Sequence, residues 1–204
     1  GPTDPSGMKV LVACEYSGRV RDAFIARGHD AMSCDLLPTE VPGPHHTGSV
    51  FDIIDDGWDL MVAHPPCTYL ANSGVRWLYG GKGTIIDPDR WAAMVDGATF
   101  FRDLLEAAPI PMVAVENPVM HGFAKSIVGR GPDQWVQPWM FGHGEQKTTG
   151  LWLRGLPLLT PTDVVDGREQ RVWKMGPSPE RWRERSRTYQ GIADAMAEQW
   201  GGHT

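Results

Sequence analysis

Cysteine is scarce in this chain of 204 residues, which contains only Cys14, Cys34 and Cys67. Three cysteines cannot all pair, and their spacing forms no disulfide framework, so a disulfide-stabilised secreted domain is excluded. No apolar run approaches the roughly 18 residues of a membrane span. Residues 1–7 are polar and contain Pro and Gly, which favours an expression-tag remnant over a signal peptide. These absences indicate a reducing, cytoplasmic setting.

The composition is that of a folded domain, with 41% hydrophobic and 22% charged residues. We expect residues 8–204 to form a single domain. The net charge is −6, but residues 168–187 contain seven basic and three acidic side chains. This local basic segment permits a polyanion contact on one face of an acidic protein, and it is equally compatible with a solvated charged surface.

Apolar runs and turn residues predict an alternation of strands and helices. Such an alternation is typical of an α/β fold with a mostly parallel sheet flanked by helices. We predict a loop over residues 36–47, and residues 155–188 are dense in Pro, Arg and Trp and indicate an irregular appendage. The predicted strands cover residues 8–14, 29–34, 59–63, 111–115 and 151–153, and the predicted helices cover 20–27, 88–105 and 191–200.

Polar and reactive residues follow the carboxyl ends of these strands, where ligands bind in open α/β sheets. After the first strand, residues 15–18 form a turn whose glycine and following helix N-terminus could hold a nucleotide-like cofactor through free N–H groups. Asp35 ends the second strand and is placed to accept hydrogen bonds from ribose hydroxyls. One glycine is not a G-x-G-x-x-G fingerprint, so a turn without a cofactor remains an alternative.

Two further strand ends carry candidate catalytic groups. Pro65 and Pro66 stiffen the exit from a buried strand and present Cys67, a candidate nucleophile, at the ligand edge. Glu116 follows an apolar strand and becomes a proton donor if burial raises its pKa. The alternatives are a small core cysteine and a carboxylate that caps backbone N–H groups. For Cys14 and Cys34, inside apolar strands, we favour the core interpretation.

The order of these motifs resembles that of the DNA cytosine-5 methyltransferases, in a minimal, phage-type form. Pro-Pro-Cys at residues 65–67, followed about fifty residues later by Glu116-Asn117, is the specific part of this resemblance. The other matching segments are residues 14–24 (CEYSGRVRDAF), Asp35, residues 48–50, Gln146 and residues 189–200 (YQGIADAMAEQW).

The resemblance implies a Rossmann-like fold that uses S-adenosylmethionine to methylate a cytosine flipped out of DNA. It makes Cys67 the nucleophile that adds to C6 and Glu116 the acid at N3, and residues 73–84 the loop that closes over the base. It assigns cofactor binding to Glu15, Tyr16, Ser17, Gly18, Asp35, Ser49, Val50 and Pro65. The residues assigned to cytosine or DNA are Pro66, Asn117, Arg76, Lys82, Gln146, Lys147, Arg181, Arg183 and Arg185.

The chain departs from the family pattern at three places. Gln146 is followed by Lys147 and not by the usual arginines, Thr68 stands where the family has Gln, and only about forty residues separate Gln146 from Gln190. The large target-recognition region therefore has no room, and residues 155–188 are the candidate for a reduced DNA-reading element. Sequence recognition is then short or relaxed, or it depends on an accessory protein.

Rival functions remain at the level of sequence. Amino-methyltransferases carry an aromatic residue where this chain has Cys67, which favours carbon chemistry. A modified methyl donor, a non-duplex substrate and a non-catalytic DNA-binding homologue stay open. A metal site would need a second close ligand pair beside His64 and Cys67, and Cys34, His45 and His46 do not form one, so we predict no metal.

Overall fold

The computed structural model describes residues 7–72, 87–167 and 187–202. A seven-stranded sheet in the order β3-β2-β1-β4-β5-β7-β6 forms its centre. Strands β1 to β5 run parallel, whereas β7 is antiparallel to both β5 and β6. The strands are β1 (Lys9–Ala13), β2 (Asp30–Asp35), β3 (His45–Thr47), β4 (Leu60–Ala63), β5 (Met112–Asn117), β6 (Gln134–Val136) and β7 (Thr149–Arg154).

Helices cover both faces of the sheet. Because successive strand side chains point to opposite faces, Leu11 and Met61 belong to one apolar cluster while Val10 and Val12 belong to the other. Helices α2 and α3 pack on the first face, and α1 and α4 pack together on the second. The helices are α1 (Arg19–Ile25), α2 (Pro88–Arg102, continued by a π-helical turn, Asp103–Ala107), α3 (Gly122–Val128) and α4 (Gln190–Gly201).

Helix α2 begins and buries its apolar stripe as the sequence predicts. The Asp87 carboxylate accepts hydrogen bonds from two backbone N–H groups of the first turn, and Pro88 occupies a position where no N–H is needed. Met94, Ala98 and Phe101 are fully buried against the sheet. Removing this stripe from water supplies much of the free energy that holds this face together.

The predicted fold class is confirmed, since the sheet is mostly parallel and flanked by helices. The prediction of a loop over residues 36–47 is wrong at its end, because His45–Thr47 pairs with β2 as an edge strand. The sequence analysis also missed β6 and α3, whose three and seven residues are too short to show a clear periodicity. None of the helices in the described parts of the chain is long and apolar enough to cross a bilayer.

A buried guanidinium fixes the segment between β2 and β3. Arg21 of α1 has a fully buried side chain, which donates hydrogen bonds to Ser33 Oγ and Thr39 Oγ1, both at 3.0 Å. It also donates to the carbonyl oxygens of Val41, at 3.2 Å, and Pro42, at 3.4 Å. One side chain therefore holds residues 39–42 against α1 and β2, beside the edge where ligands bind in such sheets.

Candidate active site

The register of three neighbouring strands brings two carboxylates and an imidazole to the carboxyl edge. Ala13 of β1 pairs with Ala63 of β4, which pairs with Val115 of β5. The residues that follow these pairs therefore lie side by side at this edge, where β1 and β4 have ended and β5 continues to Asn117. They include Glu15, His64 and Glu116.

His64 lies between the two carboxylates. Its Nδ1 is 3.4 Å from Glu116 Oε1, and its Nε2 is 4.0 Å from Glu15 Oε2. The side chains of His64, Glu15 and Glu116 are 9%, 3% and 20% exposed. Neither ring nitrogen makes a hydrogen bond of normal geometry to any described residue. The His64 ring is therefore held by charge, in a site that little water reaches.

The pKa directions follow from burial and from this charge arrangement. Burial lowers the pKa of His64, but the charge of Glu116 and the weaker effect of Glu15 outweigh it, and the net pKa is raised. Burial raises the pKa of Glu116, but His64 and Lys147 outweigh it, and the net pKa is lowered. The pKa of Glu15 is raised because burial prevails over His64. An imidazolium–carboxylate pair of His64 and Glu116 is the arrangement that these directions favour.

The turn after β1 differs from the expected cofactor cradle. Glu15 accepts hydrogen bonds from the backbone N–H groups of Val20, at 3.0 Å, and Arg21, at 3.2 Å, so its carboxylate caps α1. Ser17 Oγ accepts a further bond from the N–H of Arg19 at 3.3 Å. The N–H groups that the sequence analysis expected to be free are thus paired within the chain. The side chain of Tyr16 is buried in the same turn.

Gly18 is required in this turn for packing. Its φ of 79° is in the left-handed region, and a Cβ there would lie 2.6 Å from Arg21 Nη2 and 2.8 Å from Val41 Cγ2. The space beside Gly18 is therefore filled by two side chains of the protein. The sequence analysis had assigned this glycine to close approach of a ligand.

The turn that carries Cys67 is tied to the end of β5. Pro65 is buried, Pro66 is exposed and Cys67 is half-buried. The Cys67 carbonyl oxygen accepts hydrogen bonds from the N–H groups of residues 70 and 71, both at 3.0 Å. Asn117, fully buried on β5, donates from Nδ2 to the Pro65 carbonyl oxygen at 3.2 Å, while its Oδ1 has no partner among the described residues. The nucleophile candidate thus sits on a fixed turn next to Glu116-Asn117.

A second set of contacts holds the continuation of this turn. His121 donates from Nε2 to the Tyr69 carbonyl oxygen at 2.8 Å and accepts at Nδ1 from the N–H of Ala124 at 3.2 Å. Ala71 forms a β-bridge with Met120. The segments after β4 and β5 are therefore joined at several points, so Cys67 and Glu116 belong to one rigid edge.

The end of β2 presents a carboxylate with one oxygen that is still available to accept hydrogen bonds from a ligand. Asp35 Oδ1 accepts a hydrogen bond from the N–H of Leu37 at 2.8 Å, and Oδ2 makes no hydrogen bond to the described residues. Ser49 Oγ accepts from the N–H of Phe51 at 3.2 Å and caps a short 3-10 turn. The side chain of Val50, the neighbouring candidate, is buried in the core, so only its backbone is available to a ligand.

Cys14 and Cys34 lie near Asp35. Cys14 directly follows β1 with a φ of 60°, a strained value for a side-chain-bearing residue. Burial, with a smaller effect of Asp35, raises the pKa of Cys14 to about 12 and that of Cys34 to about 11. Both thiols are therefore protonated at neutral pH. The core interpretation holds for Cys34, whereas Cys14 lies just beyond the strand and is only half-buried. The sequence did not reveal the backbone strain at Cys14.

The segment before β7 brings a cation to the site. Lys147 is half-buried, lies with Nζ 5.9 Å from the centre of the Tyr189 ring, and contributes to lowering the pKa values of both Glu116 and His64. Gln146 is exposed. Lys147 is thus close enough to the His64–Glu116 pair to act on the charge of both groups.

A separate groove of about 570 Å³ opens between the first turns of α1 and α4. Its wall includes Gly18, Arg19 and Glu40, and Arg187 donates to Glu40 at 2.6 Å across one side. Neither Cys67 nor Glu116 lines it. The groove is therefore distinct from the candidate active site.

Several sequence-based candidates cannot be located. The whole of the predicted loop over residues 73–84, with Arg76 and Lys82, lies outside the described residues, as do Arg181, Arg183 and Arg185. Within residues 7–72, 87–167 and 187–202, no group of three or more His, Cys, Asp or Glu side chains has a geometry suited to a metal ion.

Comparisons with known proteins identify the fold. No family model matches the chain, and no curated protein matches it. A protein described as a DNA modification methyltransferase encoded within an E. coli prophage is similar in structure, with a TM-score of 0.51 and 15% identity over 84% of this chain and 56% of that one. The Entamoeba histolytica methyltransferase EhMeth gives a TM-score of 0.45 and 15% identity over 80% of this chain and 58% of its own.

The chain spans just over half the length of either structure, and at this level of identity the likeness concerns the fold alone. Three observations identify the fold: the sheet order, the antiparallel β7 and the similarity to the prophage protein. The protein has the Rossmann-like α/β fold of the methyltransferases.

Proposed function

We propose that the protein is a DNA (cytosine-5-)-methyltransferase that acts on a flipped cytosine with short or relaxed sequence specificity. The observation that carries the proposal is the hydrogen bond from Asn117 to the Pro65 carbonyl oxygen, which fixes the Cys67 turn beside Glu116. A rigid cysteine and a carboxyl group at one sheet edge are the pair that this chemistry requires. Other methyl-transfer reactions on DNA bases need no such cysteine.

Cys67 acts as the nucleophile. The C5 carbon of cytosine is a weak nucleophile, and addition of the Cys67 thiolate to C6 converts it into an enamine-like carbon. A bond forms between Sγ and C6, and the electron pair of the C5–C6 double bond becomes available to take up a methyl group at C5. A base then takes the C5 proton, the C5–H electron pair re-forms the C5–C6 double bond, and the C6–S bond breaks to release the thiolate.

Glu116 stabilises the adduct as a proton donor. A protonated carboxyl beside N3 neutralises the negative charge that builds up on the ring when the thiolate adds. Its position at the end of β5, 20% exposed, leaves the carboxyl accessible from the edge while its surroundings are largely dry. Lys147 adds positive charge near Glu116, which suits an anionic adduct. Together with His64 it lowers the pKa of the Glu116 carboxyl, against the expectation from burial alone, so the proton must be supplied to Glu116 when the base binds.

The cofactor implied by this reaction is S-adenosylmethionine, which supplies an electrophilic methyl group when bound. The second oxygen of Asp35 can accept hydrogen bonds from a ribose diol, and the neighbouring Leu36 and Leu37 are exposed apolar side chains that can cover a purine ring. The Asp35 carboxylate and the two leucines at the end of β2 therefore fit S-adenosylmethionine. The first turn fits less well, because Glu15 and Ser17 already occupy its N–H groups. We assign ribose binding to Asp35 and give Glu15 a positioning role.

DNA is the proposed partner, and it contacts the basic segment at residues 168–187. Each lysine or arginine that neutralises a phosphate makes the affinity fall with salt. Replacing Arg181, Arg183 and Arg185 with Gln should therefore weaken duplex binding and flatten the slope of log affinity against log salt. An unchanged slope would locate the DNA contact elsewhere on the chain.

The experiment that tests the proposal is nucleoside mass spectrometry of cytosine-containing duplex DNA incubated with the protein and S-adenosylmethionine. We expect 5-methylcytosine from the wild type and none from Cys67→Ala. Thr68→Ala is the matched control, because this exposed neighbour belongs to the same turn and should retain the product. A product that persists in Cys67→Ala, or methylation on an exocyclic amino group, would contradict the proposal. Absence of any methylated base from the wild type would favour the non-catalytic or modified-donor alternatives.

A further inference from the structure

The His64 side chain, 9% exposed, is a buried polar group whose two nitrogens face carboxylates and make no hydrogen bond of normal geometry to the described residues. His121, in the segment tied to the same turn, shows the contrast. Both of its ring nitrogens are hydrogen-bonded, to Tyr69 and to Ala124. A buried histidine with only a structural role normally has both ring nitrogens hydrogen-bonded, since an unpaired buried polar group lowers the stability of the fold. The position of His64 therefore indicates a role other than packing.

We propose that His64 is a positioning residue that stores the proton used by Glu116. The inference rests on the proposed function, in which Glu116 must carry a proton when cytosine binds. His64 Nδ1 faces Glu116 Oε1 at 3.4 Å, within reach of a direct transfer after a small closure. The resting state is the imidazolium–carboxylate pair.

The proton transfer is balanced within the pair. The Nδ1–H bond of His64 breaks and an O–H bond forms on Glu116, so that one positive and one negative charge become two neutral groups. A flipped base that enters the site removes the remaining water, and burial of a charged pair is less favourable than burial of a neutral one. Substrate entry itself therefore moves the proton onto Glu116. Departure of the product readmits water and restores the charged pair.

The other charged groups around the ring affect which member of the pair holds the proton. On the opposite side of the ring, Glu15 lies 4.0 Å from Nε2 and is fixed by its bonds to the first turn of α1. This carboxylate holds the imidazolium in place when Glu116 is charged. Lys147, from the segment before β7, opposes the charge on His64, and Arg21 of α1 acts on Glu15. The pH dependence of the His64–Glu116 pair therefore reflects the charges of these two groups and of Glu15, Lys147 and Arg21.

The first test measures the proton without any turnover. The ring carbon-bound protons of His64 are followed by NMR from pH 4 to 10 in the full-length protein, and the signals are assigned by their loss in His64→Gln, or in His64→Asn if the first variant does not fold. We expect a pKa above the ordinary value of 6.5. In Glu116→Gln this value should fall. A His64 pKa at or below 6.5, or one that Glu116→Gln leaves in place, would overturn the proposal.

The second test is the pH profile of kcat/KM for cytosine methylation. In His64→Gln, Glu116 must hold its own proton, so the falling limb at high pH should move to lower pH by about one unit or more. At pH 8 the rate should drop about tenfold or more. His46→Gln is the matched control, since His46 pairs with Asp52 on the surface and should leave the profile unchanged. A uniform loss of rate with the limb in place would indicate a structural role and overturn the proposal.

The two tests separate the inference from the function on which it rests. Wild-type protein that makes no methylated cytosine would contradict the proposed function, while the NMR titration would still decide whether His64 and Glu116 share a proton. Wild-type activity combined with an unshifted His64 would leave the function intact and overturn the inference.

Discussion

The side-chain amide of Asn117 donates a hydrogen bond to the carbonyl oxygen of Pro65 at 3.2 Å, and it joins positions 52 residues apart in the sequence. Proline at position 66 has no N–H and so offers no local donor to this turn. The only side-chain bond described for the Pro65 carbonyl therefore comes from the next strand. This contact is therefore one of those that fix the placement of Cys67, and it is the one that reaches the Pro65–Pro66 turn itself.

Replacing Asn117 with Ala should impair both stability and catalysis. The Pro65 carbonyl oxygen would be left buried without its partner, at a cost of about 1 to 3 kcal/mol in the free energy of unfolding. The Cys67 turn would also lose its alignment, so kcat should fall by about tenfold or more while cofactor affinity changes little. Urea unfolding and single-turnover kinetics measure the two effects.

Asn72→Ala is the matched control for this change. The Asn72 side chain is exposed, and among the described residues only its backbone N–H is engaged, with the Val119 carbonyl oxygen at 2.7 Å. Loss of its side chain should leave the free energy of unfolding within about 0.5 kcal/mol of the wild type. Equal effects of the two substitutions would show that the Asn117–Pro65 contact has no special importance.

The sequence predicted the fold and the strand ends well, because buried strands and the stripe of α2 depend on local patterns. It did not predict the contact between His64 and Glu116, since this contact depends on the register of β4 against β5 over 52 residues. From the sequence, the role weighed for the His64 side chain was that of a metal ligand. One signal was available: a histidine and a carboxylate each follow a predicted parallel strand.

The turn after β1 was misjudged for a different reason. A helix N-terminus after a strand suggests free N–H groups, but Glu15 precedes α1 by four residues and folds back to cap it. The capping role of a glutamate at this distance is not a standard sequence pattern. Likewise Gly18 resembled a glycine of a ligand cradle, whereas its neighbour is the buried guanidinium of Arg21.

The three cysteines should differ in reactivity towards iodoacetamide. Burial raises the pKa of Cys14 to about 12 and that of Cys34 to about 11, so almost no thiolate is present at either at pH 8. Cys14 and Cys67 are both half-buried, but the raised pKa of Cys14 suppresses its thiolate, so Cys67 should be alkylated first. Peptide mass spectrometry of the native protein measures the three rates separately.

Labelling in denaturant is the control for this prediction, because the three thiols then lose their folded environments and should react at similar rates. Native Cys67 should exceed Cys14 by about tenfold or more, since only the thiolate reacts. Faster labelling of Cys14 would mean that the turn after β1 opens readily in solution.

The Arg21 guanidinium should contribute strongly to stability. Arg21→Met keeps much of the side-chain volume but leaves the carbonyl oxygens of Val41 and Pro42 and the Ser33 hydroxyl without this donor. We expect a loss of about 2 to 4 kcal/mol in the free energy of unfolding. Arg21→Lys should recover only part of it, because an ammonium group cannot reproduce the fork of donors.

Arg27→Met serves as the matched control for Arg21. Arg27 follows α1, its side chain is 48% exposed, and its nearest carboxylate, Glu198, is 3.8 Å away. Surface pairs of this kind contribute about 0 to 1 kcal/mol, so this variant should unfold close to the wild type. A small effect of Arg21→Met in the same urea titration would contradict the role assigned to the guanidinium.

The His64–Glu116 pair should make the effect of Glu116→Gln on stability depend on pH. The folded pKa of Glu116 is lowered from 4.5, so its stabilising contribution is present above that value and is lost as the pH falls through the folded pKa. The folded pKa of His64 is raised from 6.5, so its contribution is present below 6.5 and is lost as the pH rises through the folded pKa. The two contributions are fully present together only between these ordinary values.

The difference in unfolding free energy between wild type and Glu116→Gln should therefore be largest from pH 4.5 to 6.5 and smaller on either side. Glu15 titrates in both proteins, so its raised pKa largely cancels in the difference. Urea unfolding at half-unit intervals from pH 4 to 9 measures the curve. Glu198→Gln, at a side chain 57% exposed, should give a nearly flat difference. A Glu116→Gln difference that is equally flat, or that grows above pH 8, would show that His64 and Glu116 do not form a charged pair in the folded protein.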